Sequence, residues 1–200
     1  MAITNGYVTL SEVKAAARIQ DSVDDALLET TIEASSRLID GHCERRFYTA
    51  GTKVRYYAAD NHYVVEIDDL ASTTITLETS SDVDGNYDVT WTDTDYQLEP
   101  LNGTTSGLDF PATRIRAIGD YLLPISRETA VKVTGVFGFS ATVPTAVKQA
   151  CLIMSLRQFK RYDSPLGITF GELGGMRVTR LDPDVDALLR PFRRTPVGAA

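Results

Sequence analysis

The stretch Val8-Thr9-Leu10-Ser11-Glu12-Val13-Lys14, followed by Asp24-Asp25-Ala26-Leu27-Leu28, decides how this chain is read. Thr9 is a good helix N-cap, and Glu12 stands three residues later, which makes a capping box. Val8 and Val13 occupy the two staple positions around it. A short first helix is expected over residues 9–20, gaining most of its stability by packing. Asp21 or Ser22 can cap a second helix, with Asp24 and Asp25 at the positive end of its dipole. Leu28, Ile32, Ser35, Ile39 and Cys43 recur at spacings of three and four, and Leu27, Ala34 and Leu38 widen that stripe. The pattern predicts one amphipathic helix over 22–46, with Arg45 and Arg46 at its C-terminal end.

Outward from these helices the period changes from 3.6 to 2. Val54 and Tyr56, then Tyr63, Val65 and Ile67, then Thr73, Ile75 and Leu77 alternate with polar residues, as do Val89 and Trp91, and Val131 and Val133. Turn chemistry separates the runs at Asp60-Asn61, Asp84-Gly85-Asn86 and Asn102-Gly103. Four to seven strands are expected between about residues 52 and 140, as a small antiparallel sheet, sandwich or partial barrel. The polar, glycine-rich stretch from Asn102 to Thr113 is expected to be a long loop.

Val143-Pro144-Thr145 restarts a helix, and Val147, Ala150, Cys151, Met154, Leu156 and Phe159 carry it over 145–162. Ser164-Pro165-Leu166-Gly167 breaks it, and Gly171, Gly174 and Gly175 follow in a segment read as a hinge. Asp182-Pro183 then announces a short helix with an N-cap and proline at its first position. Val185, Leu188, Leu189 and Phe192 give it one apolar face, and Arg190, Arg193 and Arg194 cluster at its end. So short a helix needs a surface to dock on, either its own body or another subunit. The fold class is therefore α+β: a small helical bundle with an inserted antiparallel sheet or sandwich and an extended C-terminal tail. Residues 1–163 read as one domain, and residues 164–200 as a hinge with a docking helix.

Composition adds limits. The 200 residues are 43% hydrophobic and 24% charged, enough to fill a globular core. No apolar run is long enough to span a membrane, and Met1 to Leu10 has the makings of no secretory signal. Cys43 and Cys151 both sit in apolar-periodic stretches, as buried free thiols do. The net charge of −7 is uneven: residues 1–100 carry 7 Lys/Arg against 19 Asp/Glu, and residues 101–200 carry 13 against 8. An acidic first half argues against a phosphate-gripping surface there.

Catalytic and ligand-binding motifs are not recognisable. His42, Cys43 and Glu44 are adjacent on a helix and point apart, so they cannot share one ion. Asp82-Val83-Asp84-Gly85-Asn86 alternates carboxylates before a glycine, yet only Asp93 approximates the later bidentate ligand of a calcium loop, and a hairpin turn is the simpler reading. No phosphate loop, dinucleotide fingerprint or nucleophile elbow occurs. Neither an enzymatic activity nor a cofactor is expected. The basic tail, with Arg177, Arg180, Arg190, Arg193 and Arg194, suits nucleic acid or an acidic protein groove. Leu188, Leu189 and Phe192 favour protein, because phosphate binding needs no apolar anchor.

The order of parts resembles the head–tail connector (adaptor) family of long-tailed phages. The segments that carry it are Val8 to Lys14, Asp24 to Leu28, Ile32-Glu33-Ala34-Ser35-Ser36, Ile39-Asp40 through Cys43, Arg46 and Phe47, then Val131 to Phe139 and Val143-Pro144 through Ala150. The resemblance implies a structural virion protein at the neck, assembled from the host cytoplasm. It implies a dodecameric ring under the portal vertex that extends the channel for double-stranded DNA, with no sequence-specific contact. The portal on one side and the next neck, stopper or tail protein on the other would be its partners. By position, Leu188, Leu189, Arg190, Phe192, Arg193 and Arg194 would dock on the portal. The alternatives are a stopper or tail terminator, or a DNA-contacting module acting through the tail. Salt titration of DNA binding separates the last from the rest. A DNA module loses affinity steeply with salt and loses it altogether without residues 177–200, whereas a docking tail shows no such affinity.

Overall fold

The computed structural model describes residues 3–82, 84–105, 108–125, 128–162 and 182–194. The chain divides into two compact units, Met1–Arg45 with Val143–Ala200, and Arg46–Thr142. The α+β class is borne out: helices make up the first unit and antiparallel strands the second.

In the helical unit, α1 (Leu10–Ala17) starts as its sequence dictates. The Thr9 backbone N–H donates to Glu12 Oε2 at 2.7 Å, and the Glu12 N–H donates to Thr9 Oγ1 at 3.2 Å. Val8 and Val13 are both buried beside this box. The helix ends at Arg18, which turns into the left-handed region at φ 59°. α2 (Asp25–Cys43) begins later than expected. Asp21 does not cap it; its Oδ1 accepts the Val23 N–H at 3.1 Å and shapes the preceding turn. The N-cap position falls to Asp24, whose side chain makes no capping bond. Lys14 Nζ pins this turn, 2.6 Å from the Asp21 carbonyl and 2.5 Å from Asp25 Oδ1.

Leu28, Ile32, Ser35, Ile39 and Cys43 are all buried, as the periodicity predicts. The expected widening by Ala34 and Leu38 is wrong: both are exposed, and Thr31 and Ser36 broaden the buried face instead. Their hydroxyls make this possible by returning hydrogen bonds to the Leu27 and Ile32 carbonyls one turn back. α2 also stops before Arg45 and Arg46, because Glu44 takes φ 54° and the Arg45 N–H closes the end on the Asp40 carbonyl at 3.2 Å. α3 (Thr145–Lys160) follows Pro144 and packs on α2 and α1 through Val147, Ala150, Cys151 and Ser155. α4 (Pro183–Leu189) and a 3₁₀ turn (Arg190–Phe192) pack back on this unit, α4 against α3. The hinge expected over residues 164–181 lies outside the described residues.

The second unit is a two-sheet sandwich. β1 (Thr52–Tyr57), β2 (Val64–Leu70), β3 (Thr76–Thr79), β4 (Val89–Trp91) and β5 (Tyr96–Glu99) come first in the chain. Then follow β6 (Thr104–Thr105), β7 (Leu108–Asp109), β8 (Ala112–Ala117) and β9 (Val131–Val136). One sheet runs β1-β9-β3-β4 and another β2-β8-β5, with β6-β7 as a small hairpin. The stretch expected as a loop from Asn102 to Thr113 therefore holds that hairpin and the start of β8. Val65, Ile67, Leu77, Trp91, Ile115, Val131 and Val133 fill the core.

The first and last strands of this unit pair with each other. β1 lies antiparallel to β9 from Thr52 opposite Val136 to Tyr57 opposite Val131. Beyond the strands, the Phe139 N–H donates to the Arg46 carbonyl at 2.8 Å, and the Phe47 and Phe139 rings sit 5.2 Å apart. Gly138, at φ 131°, passes directly over the Tyr48 carbonyl, so a Cβ there would collide with backbone. Gly138→Ala is expected to destabilise the protein by more than about 2 kcal/mol, read as a lower urea midpoint with unchanged slope.

Candidate functional site

The segment from Asp182 to Arg194 is the one place where the sequence supplied candidate functional residues. Its start is built as the sequence predicts: Asp182 Oδ1 accepts the Asp184 N–H at 3.0 Å, and Pro183 occupies the first turn. The apolar face then splits. Val185, Leu189 and Phe192 are buried within the helical unit, while Leu188 is only half covered. At the end of the segment the Arg194 N–H donates to the Cys43 carbonyl at 2.9 Å, satisfying a backbone acceptor at the end of α2.

One ion pair that no sequence motif announces ties the segment to α3: Arg157 Nη1 lies 3.0 Å from Asp182 Oδ2. On α2, His42 Nε2 lies 3.5 Å from Asp186 Oδ1 and is buried without a hydrogen bond among the described residues. Asp186 also faces Arg190, four residues on, at 3.4 Å. Only the last pair has a readable spacing, since i and i+4 neighbour each other on a helix. Arg190 and Arg193 keep their guanidinium groups exposed. The six residues expected to dock thus part company. Leu189 and Phe192 are committed to the chain's own core, and Arg190, Arg193 and part of Leu188 and Arg194 remain at the surface.

The groups that might have done chemistry are otherwise engaged. Burial pushes the Cys43 thiol up to about 11, only partly offset by the nearby Arg193 and Arg45. Burial also raises the Cys151 thiol, although Ser36 and Ser155 hydroxyls approach it. Neither sulfur is a thiolate at neutral pH. In the acidic hairpin, Asp84 Oδ1 accepts the Asn86 N–H at 2.8 Å, which is turn chemistry. Asp88 takes both the backbone N–H and the hydroxyl of Ser81, which holds its carboxyl below the usual range. Among the described residues no three His, Cys, Asp or Glu side chains converge as a metal site would require. Among the same residues, no helix is long and apolar enough to cross a membrane.

Comparison with known proteins adds what geometry alone does not. Residues 7–79 match the model of the phage gp6-like head-tail connector protein family. The resemblance read from the sequence is borne out. The match runs through α1 and α2 into β3, so it includes strands that the sequence motifs did not tie to the family. No curated protein matches the chain. Among solved structures, a chain in the neck of an empty gene transfer agent (GTA) particle, computed with C6 symmetry, superposes with a TM-score of 0.60 at 17% identity. It covers 100% of this chain and 96% of that one. A chain in the neck of the native GTA particle, computed with C12 symmetry, gives 0.60 at 18% identity over the same shares. A chain in the virion of the native particle gives 0.59 at 18%, again over 100% and 96%. At such identity the likeness is one of fold. The protein thus has a connector's sequence pattern in its first helices and a neck protein's fold throughout.

The buried part of the C-terminal segment makes a clear prediction. Phe192→Ala removes a ring that is 1% exposed and is expected to cost about 3 kcal/mol of folding stability. Urea unfolding of the isolated protein measures it.

Proposed function

We propose that this chain is a structural subunit of the neck of a phage-like particle, a head–tail connector acting as an adaptor ring beneath the portal. The observation that carries the reading is the connector match over α1 and α2 joined to whole-chain likeness with GTA neck chains. The paired N-terminal helices, which the connector family model matches, favour this role over a stopper or tail terminator. The C6 and C12 symmetries of those necks support a closed ring of copies. In this reading the ring extends the DNA channel and offers a platform to the next neck or tail protein. The acidic half of the sequence would line the lumen and let double-stranded DNA slide past. The role is assembly, with no catalytic step.

The C-terminal segment would meet the portal. Because Leu189 and Phe192 are already buried in the helical unit, the contact falls to the exposed Arg190 and Arg193 with Leu188 and Arg194 beside them. That changes which variant is informative. Removing residues 182–200 strips Val185, Leu189 and Phe192 from the core and confounds binding with folding. Arg190→Glu with Arg193→Glu leaves the core intact. The double variant is expected to keep its urea midpoint yet bind its portal at least about tenfold more weakly in a sedimentation or surface-binding assay. Unchanged portal affinity would overturn this docking surface. Cryo-electron microscopy of the intact neck tests the rest: a ring of this chain below the portal is expected, with Asp and Glu outnumbering Lys and Arg on its lumen. A lumen lined by Arg and Lys would sink the sliding role, and a position elsewhere in the particle would sink the adaptor reading.

A further inference from the structure

Two features of the helical unit have no partner among the described residues, and they are complementary. The first is a knob. Val23 is 85% exposed, the highest exposure among the large apolar side chains described. It stands between Asp21 on one side and Asp24 and Asp25 on the other. The turn that presents it is held by the Asp21 carboxylate on the Val23 N–H and by Lys14 on the Asp21 carbonyl. A side chain so fixed loses little freedom on binding. Among the described residues Asp24 has no ion-pair partner, although Asp25 pairs with Lys14.

The second feature is a pocket on the same unit, with an apolar floor of Leu38, Ile153, Met154 and Val185 and a polar rim of Arg157, Gln158, Arg161 and the Asp182 carboxylate, with a volume of about 120 Å³. Leu38 is 54% exposed beside it. A cavity of about 150 Å³ accepts a benzene ring, so this one suits a branched aliphatic group. Arg157 is partly engaged by Asp182, while Arg161 has no ion-pair partner among the described residues. The helix that supplies most of the pocket, α3, buries Val147, Ala150 and Cys151 and leaves Leu152, Ile153, Met154, Leu156 and Phe159 only half covered.

The knob cannot fill its own chain's pocket. Val23 precedes α2 and Leu38 lies fifteen residues along it, a rise of about 22 Å at 1.5 Å per residue. We propose that a second copy of this chain fills it: Val23 of one subunit seats in the Leu38–Ile153–Met154 pocket of the next, with Asp24 against Arg161. Because knob and pocket are different surfaces of the same chain, the contact is head to tail and repeats from subunit to subunit until the ring closes. This rests on the ring reading above and supplies its contact. Carboxylates around the knob and the Arg161 guanidinium at the pocket rim, where Asp182 already answers Arg157, fix the register and disfavour knob-to-knob pairing.

Disulfide trapping tests it, since it captures contacts too weak to survive purification. Full-length Val23→Cys and full-length Met154→Cys are prepared separately, mixed and oxidised. The native Cys43 and Cys151 are buried and leave little background. Disulfide-linked pairs are expected in the mixture at least about fivefold above either variant alone. Adding Arg161→Asp to the pocket variant should lower the yield, and adding Asp24→Arg to the knob variant should restore it. Equal yields in the single-variant samples, or none in the mixture, overturn the contact. Wild-type chain assembled on its portal is imaged in parallel. Wild-type rings together with no disulfide between the cysteines introduced at positions 23 and 154 sink this contact and leave the ring reading standing. Absence of rings sinks both.

Discussion

The pairing of β1 with β9 is the constraint on which the rest of the molecule depends. Between α2 and α3 the chain travels through some hundred residues before returning. Were that excursion a flexible loop, bringing its ends together would cost on the order of 4 kcal/mol in chain entropy for roughly 100 residues. Six register pairs from Thr52–Val136 to Tyr57–Val131, and the Phe139 to Arg46 hydrogen bond beyond them, bring the two ends side by side within the β unit itself. The tight passage of Gly138 over Tyr48 belongs to the same closure. The sandwich is therefore inserted through adjacent ends, and α2 and α3 can behave as neighbours joined by a short connection.

That leaves the helical unit free to be a small bundle with an incomplete surface. α2 commits one full stripe to the core and even recruits hydroxyl residues to it, since Thr31 and Ser36 satisfy themselves on the preceding turn. On α3, Leu152, Ile153, Met154, Leu156 and Phe159 stay only half covered. The C-terminal segment packs on the same unit through Val185, Leu189 and Phe192, and its ends are tied by Asp182–Arg157 and by the Arg194 N–H on Cys43. What it leaves uncovered lies beside Leu38. A fold that leaves these α3 side chains half covered among the described residues is suited to assembly, which agrees with a connector's sequence pattern and a fold shared with GTA neck chains.

Most of the helical unit could be read from sequence because its signals are local. Thr9 with Glu12, the three-and-four spacing from Leu28 to Cys43, and Asp182-Pro183 each encode their own geometry within a few residues. The errors have equally local causes. α2 starts after Asp21 because Lys14, from the previous helix, takes over the acidic turn. It ends early because Glu44 adopts a left-handed cap without being glycine. The start of β8 falls in the stretch expected as a loop, because Ile115 is the strand's one large buried apolar residue, set in Ala-Thr-Arg-Ile-Arg-Ala. The candidate site was harder. Periodicity shows that Val185, Leu189 and Phe192 need a partner surface, but it carries nothing about which surface. Arg157, His42 and the Cys43 carbonyl, which supply the chain's own share of that answer, are distant in sequence and announce no spacing.

Burial of both sulfurs bears on durability. A thiol whose ionisation is suppressed attacks disulfides and peroxides slowly, because the thiolate is the reactive species. With Cys43 held to about 11 and Cys151 also raised, both buried sulfurs are poor partners for disulfide exchange with each other or with neighbouring chains. The fold thus stands without a disulfide and presents oxidants with little reactive sulfur.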